Sequence, residues 1–166
     1  TRRRARCTDV SAGRDAVTGR LFWSYNHNPA QTARVCCGRV NRGLAILGNT
    51  LFMGTIDAHL VAIDAKSGKQ IWNTEVAKAA DRYSITHSPT VVKDKVIIGT
   101  GGGDGPIRGF ISAFDAKTGK EVWRFYTAPN PEGKADGAAS DKIMAEKAAA
   151  TWSEGAWKQT GGGATI

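Results

Sequence analysis

Ile63-Asp64-Ala65-Lys66-Ser67-Gly68-Lys69-Gln70-Ile71-Trp72 decides the fold, because close copies of it lie on either side. Asp15-Ala16-Val17-Thr18-Gly19-Arg20-Leu21-Phe22-Trp23 precedes it, and Asp115-Ala116-Lys117-Thr118-Gly119-Lys120-Glu121-Val122-Trp123 follows. The three tryptophans stand about fifty residues apart, a period that belongs to propeller-type repeat arrays and not to a single compact α/β domain. In each copy the glycine supplies a backbone angle that other residues adopt only at a cost, so Thr/Ser-Gly-Lys/Arg predicts the tight turn of a hairpin. The leading aspartate can accept hydrogen bonds from the turn amides. The tryptophan, four residues past the glycine, falls on the next strand, where its ring can dock on a neighbouring sheet and keep its N–H for a partner.

Working outward, Gly43-Leu44-Ala45-Ile46-Leu47 predicts a strand, Gly48-Asn49 a turn and Leu51-Phe52-Met53-Gly54-Thr55 the next strand. Asp57-Ala58 turns the chain into His59-Leu60-Val61-Ala62-Ile63, and the repeat turn leads on to Gln70-Ile71-Trp72-Asn73-Thr74, which completes a four-stranded antiparallel meander. The third copy follows the same plan through Thr90-Val91-Val92, Val96 to Thr100, Gly109 to Phe114 and Val122 to Tyr126, but Gly101 to Arg108 widens one connection. Insertions on one face of an array are where function tends to sit. The expectation is all-β: two complete four-stranded blades plus part of a preceding one, in a domain covering residues 15–166. Residues 1–14 read as a poorly defined segment, since Ser11-Ala12-Gly13-Arg14 lacks the alternation of a strand. Near the C-terminus, Ser140 to Ala150 holds good helix formers, with Ser140 as the expected N-cap of a short helical excursion. Three units are only part of a closed ring, so 166 residues are expected to be a fragment.

The net charge of +8 invites a polyanion partner. Much of the excess lies in Arg2, Arg3, Arg4, Arg6, Arg14 and Arg20, without the aromatic-basic interleaving that tracks single strands, so no nucleic-acid partner is expected. No apolar run approaches the length that spans a bilayer. The Thr-Gly-Lys turns are not phosphate-binding loops, because Lys69 is followed by Gln70 and Lys120 by Glu121 rather than by Ser or Thr. Gly99 to Gly105 leads to Pro106 and a strand, which excludes a dinucleotide fingerprint.

What remains is a small set of residues outside the repeat. Cys36-Cys37 are adjacent, and consecutive Cα atoms lie about 3.8 Å apart, closer than disulfides usually allow. They read either as two reduced, buried thiols or as a strained, reducible bridge. With His27, His59 and His87 they lack the paired spacing of structural zinc. Gly101-Gly102-Gly103-Asp104-Gly105 offers backbone amides for an anion beside one carboxylate suited to a hard cation, or is simply a glycine-rich turn. Arg42 can pair with a carboxylate or face solvent.

Taken together, Arg34-Val35-Cys36-Cys37-Gly38-Arg39-Val40-Asn41-Arg42-Gly43, the three repeats, Gly101 to Gly109 and Trp152 to Gly163 resemble, in this order, the pyrroloquinoline-quinone (PQQ)-dependent alcohol dehydrogenases. The resemblance implies an eight-bladed propeller in the bacterial periplasm, with PQQ and a metal ion, calcium or a lanthanide, near its axis. It implies that Cys36 and Cys37 form a vicinal disulfide against the cofactor, that Arg42 contacts the quinone and Thr86 hydrogen-bonds to it, and that the amides of Gly102 and Gly103 meet its carboxylates. Gly101 stands where many members have serine, and Asp104 where the family usually has a glutamate metal ligand. The stacking tryptophan, the catalytic base, further ligands and any haem c domain are expected beyond Ile166, so this segment alone should be inactive. The implied reaction is oxidation of a primary alcohol to an aldehyde, with cytochrome c or a quinone as the onward acceptor. A non-catalytic scaffold propeller of the outer-membrane assembly type is the alternative; it needs the tryptophan repeats but has no use for Cys36, Cys37, Arg42 or the glycine loop.

Overall fold

The computed structural model describes residues 9–33, 40–102, 105 and 107–158. Among the described residues ten strands form three antiparallel sheets. The first pairs β1 (Asp9–Arg14) with β2 (Leu21–His27). The second is a meander of β3 (Ala45–Leu47), β4 (Thr50–Gly54), β5 (His59–Asp64) and β6 (Gln70–Glu75). The third repeats it with β7 (Thr90–Val92), β8 (Lys95–Gly99), β9 (Phe110–Asp115) and β10 (Glu121–Tyr126). Each four-stranded sheet is one propeller blade, and the two-stranded sheet carries the hairpin equivalent to the last two strands of a blade.

The repeat forms the same turn three times. Gly19, Gly68 and Gly119 all have φ near 70°, at 71°, 71° and 70°. One carboxylate oxygen of the leading aspartate accepts the amide and the hydroxyl of the residue before each glycine: at Asp64 these come from Ser67, both at 2.7 Å, and at Asp115 from Thr118, at 2.9 and 2.8 Å. Asp15 does the same with Thr18 at 2.7 Å for each. These bonds hold all three carboxyls below the usual carboxylate range. A register shift beside each turn, at Gly13/Arg14, Ala62/Ile63 and Glu121/Trp123, bends the outer strand and adds twist.

The first two repeat tryptophans dock on the next copy of the turn. Trp23 donates its indole N–H to the carbonyl of Ala65 at 3.0 Å, and Trp72 to that of Ala116 at 3.2 Å. The glycines are receptors for the rings: a Cβ at Gly68 would sit 2.6 Å from Trp23, and one at Gly119 2.7 Å from Trp72. The turn glycine is therefore required twice, by its φ and by a ring from the preceding blade. Trp123 stays 37% exposed.

The cores lie between sheets. Phe52, Leu60 and Ala62 pack with Val96, Ile98, Phe110 and Phe114 between the two full blades, while Met53, Val61 and Ile63 face Tyr25 of the two-stranded sheet. Successive residues of β5 thus supply opposite faces, and both are buried, so Leu60-Val61-Ala62-Ile63 is apolar throughout.

Two local expectations differ from the structure. Residues 9–14, which lack strand alternation, nevertheless form β1, in register from Asp9 opposite His27 to Arg14 opposite Leu21. The small residues have a packing reason: a Cβ on Gly13 would collide with the Trp23 ring, and Ser11 is buried with its hydroxyl on the Met53 sulfur at 3.3 Å. Secondly, the short helical excursion begins with Ser140 at the N-cap position but does not run on as one regular helix. A single α-turn, α1 (Asp141–Ile143), gives way to a wider turn over Met144–Ala148 and to 3₁₀ turns through Lys158. The Ser140 hydroxyl makes no cap; fully buried, it accepts the Tyr126 amide at 3.0 Å and ties the excursion to β10.

Candidate cofactor site

Because the strands alternate, β2, β4, β6, β8 and β10 all finish, and β3, β5, β7 and β9 all begin, at one end of the array. The repeat turns lie at the other end. Arg42, Thr86, Gly101 and Gly102 fall in connections at the first end. Cys36, Cys37, Gly103 and Asp104 lie outside the described residues.

Arg42 and Thr86 are brought into direct contact. The Arg42 amide donates to the Thr86 carbonyl at 3.0 Å, and its Nη1 donates to the Thr86 hydroxyl at 2.9 Å and to the same carbonyl at 3.3 Å. This joins the connection before β3 to the connection before β7, across two blades. Asn41 braces it by donating to the Gly54 carbonyl at 2.8 Å and accepting the Gly43 amide at 3.0 Å. The Arg42 side chain is exposed. A hydroxyl that accepts from arginine keeps its own proton for another acceptor, so the pair presents a cation and an O–H donor side by side.

Gly101 and Gly102 stand in the next connection. The Gly101 amide is engaged by the Ser84 carbonyl at 2.9 Å, two residues before Thr86, and the Ile85 amide reaches the Thr55 carbonyl at 3.2 Å. Residues 84–86 are thus strung between both blades. Gly102 has φ 98°, and a Cβ there would lie 3.1 Å from Ile107 Cδ1. Only glycine keeps this backbone bare for a close approach.

Two histidines flank the site without the spacing of a metal centre. His87 accepts the Gly99 amide on Nε2 at 3.2 Å. Burial, and then the positive charge of Arg42, push its pKa down, which suits an acceptor ring. His27 and Asp57, 9% and 4% exposed, form a buried pair at 2.9 Å. Burial opposes ionisation of Asp57, but bonds from His27, the Thr55 hydroxyl at 2.5 Å and the Ala30 amide at 2.9 Å prevail and hold its carboxyl well below the usual range. Through Ala30 this cluster seats the chain that leads towards Cys36, and Ala33 packs on Ile56 and Ala79 just beyond. Among the described residues no three His, Cys, Asp or Glu side chains gather to hold a metal. Also among them, no helix is long and apolar enough to cross a membrane.

One end of the propeller arc thus gathers an arginine, a hydroxyl and bare glycine backbone. Residues 6–161 match the family described as PQQ: glucose/ethanol/alcohol dehydrogenase, beta-propeller domain, and the chain belongs to it. It is 49% identical over 161 residues to the dehydrogenase subunit of the quinone alcohol dehydrogenase of Gluconobacter oxydans, covering 92% of this chain and 21% of that protein. Among solved structures, a quinohemoprotein alcohol dehydrogenase of Pseudomonas putida superposes with a TM-score of 0.76 at 38% identity, covering 92% of this chain and 22% of that one. A europium-containing methanol dehydrogenase matches with a TM-score of 0.64 at 38% identity, covering 70% and 21%. The chain spans about a fifth of the length of the curated relatives it matches.

Proposed function

We propose that this chain is the cofactor-binding sector of a larger, periplasmic alcohol dehydrogenase that oxidises a primary alcohol to an aldehyde with PQQ and a bound calcium or lanthanide ion. The observation that carries the proposal is the Arg42–Thr86 contact across two blades, beside the glycine connection. The donor set fits the group: PQQ is an anionic, oxygen-rich quinone, and a guanidinium, a hydroxyl and unobstructed glycine backbone are complementary to carboxylates and quinone oxygens. When bound, PQQ supplies the two-electron acceptor, as cofactors commonly carry the demanding chemistry.

The residues of this chain bind and orient. Arg42 holds an anionic oxygen, and Thr86, fixed by Arg42, donates its hydroxyl proton. Gly102 and Gly103 line the carboxylate side, and Gly101, its amide spent on Ser84, sets the start of that connection. Cys36 and Cys37, joined as a disulfide, wall the pocket, and Asp104 contributes a metal ligand. Electrons leave to cytochrome c or a quinone, with a haem c domain as one route. A scaffold propeller would need only the tryptophan–glycine docking.

The test is to reconstitute the complete enzyme with PQQ and calcium and to follow dye-linked oxidation of primary alcohols. Activity that falls at least roughly a hundredfold in Arg42→Met is expected, on the scale of losing one positioned charge. No turnover of any primary alcohol, and no PQQ bound, would sink the proposal.

A further inference from the structure

We infer that Arg108 is a positioning residue for the cofactor connection, and that Asp136, in the excursion after β10, is its anchor. This rests on the function proposed above, and goes beyond it by giving the excursion a part in the site.

Arg108 stands at the far foot of the connection that begins at Gly101. Its Nε donates to the Ala128 carbonyl at 2.8 Å, and its two terminal nitrogens make a fork to both Asp136 carboxylate oxygens at 2.9 and 2.8 Å. The guanidinium lies over the Tyr126 ring, 3.8 Å from its centroid. A planar fork, both ends filled and one face stacked, has a single orientation, which a lysine cannot reproduce. The pair is largely withdrawn from water, at 11% and 16% side-chain exposure.

The anchor is itself fixed. Asp136 accepts the Asn130 amide group at 2.8 Å, and Asp141 collects the backbone amides of Asp136, Gly137 and Ala138 at 2.8 to 3.1 Å. The near foot is fixed too, by Gly101 on Ser84. The Arg108 carbonyl in turn accepts the Tyr83 hydroxyl at 2.9 Å, and Tyr83 begins the stretch that carries Ser84 and Thr86. Arg108 therefore links three segments: the one bearing Thr86, the one bearing Gly101 and Gly102, and the excursion. Ile107, next to Arg108, lies against Gly102, its Cδ1 3.1 Å from where a Cβ would stand, so releasing the Arg108 foot lets Ile107, and with it Gly102, shift. Such displacement weakens binding without touching any group that contacts the ligand.

The experiment uses the complete enzyme stripped of its quinone and retitrated with PQQ, comparing the unaltered protein with Arg108→Lys, Asp136→Asn and the double variant. Each single variant should raise the PQQ dissociation constant roughly tenfold to a hundredfold, the loss typical when an outer partner of a bound group is removed. The double variant should bind no worse than the poorer single one, because the two residues act as a unit. If PQQ affinity stays within about twofold of the unaltered enzyme while only the melting temperature falls, Arg108 merely packs the excursion and the inference is overturned. Should Arg108→Lys fail to fold, Asp136→Asn, which keeps the shape and removes the charge, decides on the same criterion. If the unaltered enzyme binds no PQQ, the functional proposal fails, and the inference with it; binding by that enzyme with unaffected variants rejects the inference alone.

Discussion

Replacing Gly119 by alanine isolates the docking of one blade on the next, because a second glycine supplies the control. Gly119 and Gly48 both occupy the left-handed region, with φ of 70° and 59°, so alanine brings similar backbone strain at each, about 1 kcal/mol. At Gly48 nothing lies within 4 Å of the added Cβ, whereas at Gly119 it would fall 2.7 Å from Trp72 and from the Thr74 hydroxyl. The indole must shift, releasing its bond to Ala116, and Thr74 its bond to the Gly119 carbonyl. Two hydrogen bonds at about 1 kcal/mol each add to the strain. Loosening Trp72 against Phe52, whose centroids lie 5.8 Å apart, adds about 0.5–1 kcal/mol. Gly119→Ala should thus lose about 3.5–4 kcal/mol and Gly48→Ala about 1 kcal/mol. Urea unfolding of the 166-residue chain, followed by tryptophan fluorescence in dilute solution, measures both. Equal losses, within about 0.5 kcal/mol, would refute the claim that the glycine is a receptor for the ring.

Other outcomes follow from the cofactor end. Asp57→Ala leaves His27, the Thr55 hydroxyl and the Ala30 amide without their acceptor and should cost roughly 1–3 kcal/mol by denaturant titration; a change under about 0.5 kcal/mol would show the cluster to be dispensable. His87 has a folded pKa below its ordinary value of 6.5, so the unfolded chain takes up the proton first as pH falls. Its contribution is absent above that value and becomes a loss of stability below it, and His87→Gln, which keeps an acceptor for Gly99, should flatten the melting-temperature profile between about pH 7 and 5; an unchanged profile contradicts this. With three cysteines in the chain, a thiol assay on unreduced, denatured protein should find one reactive group, Cys7, if Cys36 and Cys37 are joined. Three thiols would remove the proposed disulfide.

The blades were legible because their signal is local: one turn, one glycine and one tryptophan repeat within nine residues, and the register shifts recur with them. Arg42 and Gly101 stood out because both fall between repeats, whereas Thr86 was singled out only by the family resemblance. Long-range pairs left no such trace. His27 meets Asp57 across 30 positions because one sheet abuts the next, and Arg108 meets Asp136 across 28 because the excursion after β10 folds back on the connection before β9. Asp9–Arg14 hid its strand for another reason. Gly13 and Ser11 are chosen by what they face, the Trp23 ring and the Met53 sulfur, and that selection for small size erases the apolar alternation by which a strand is recognised.

The docking of Trp23 and Trp72 on the following turn also gives the array a polarity. Every blade carries a plug on one face and a socket on the other, made by the same nine-residue motif, so the contact is head-to-tail rather than self-complementary. Contacts of that kind set no limit on their own number; closure comes only when the rotation per blade divides a full turn. A duplicated unit arrives with both halves of its fastening and joins its neighbours without new chemistry. The chemistry at the opposite end, held in loops that take no part in the fastening, is free to diverge from blade to blade.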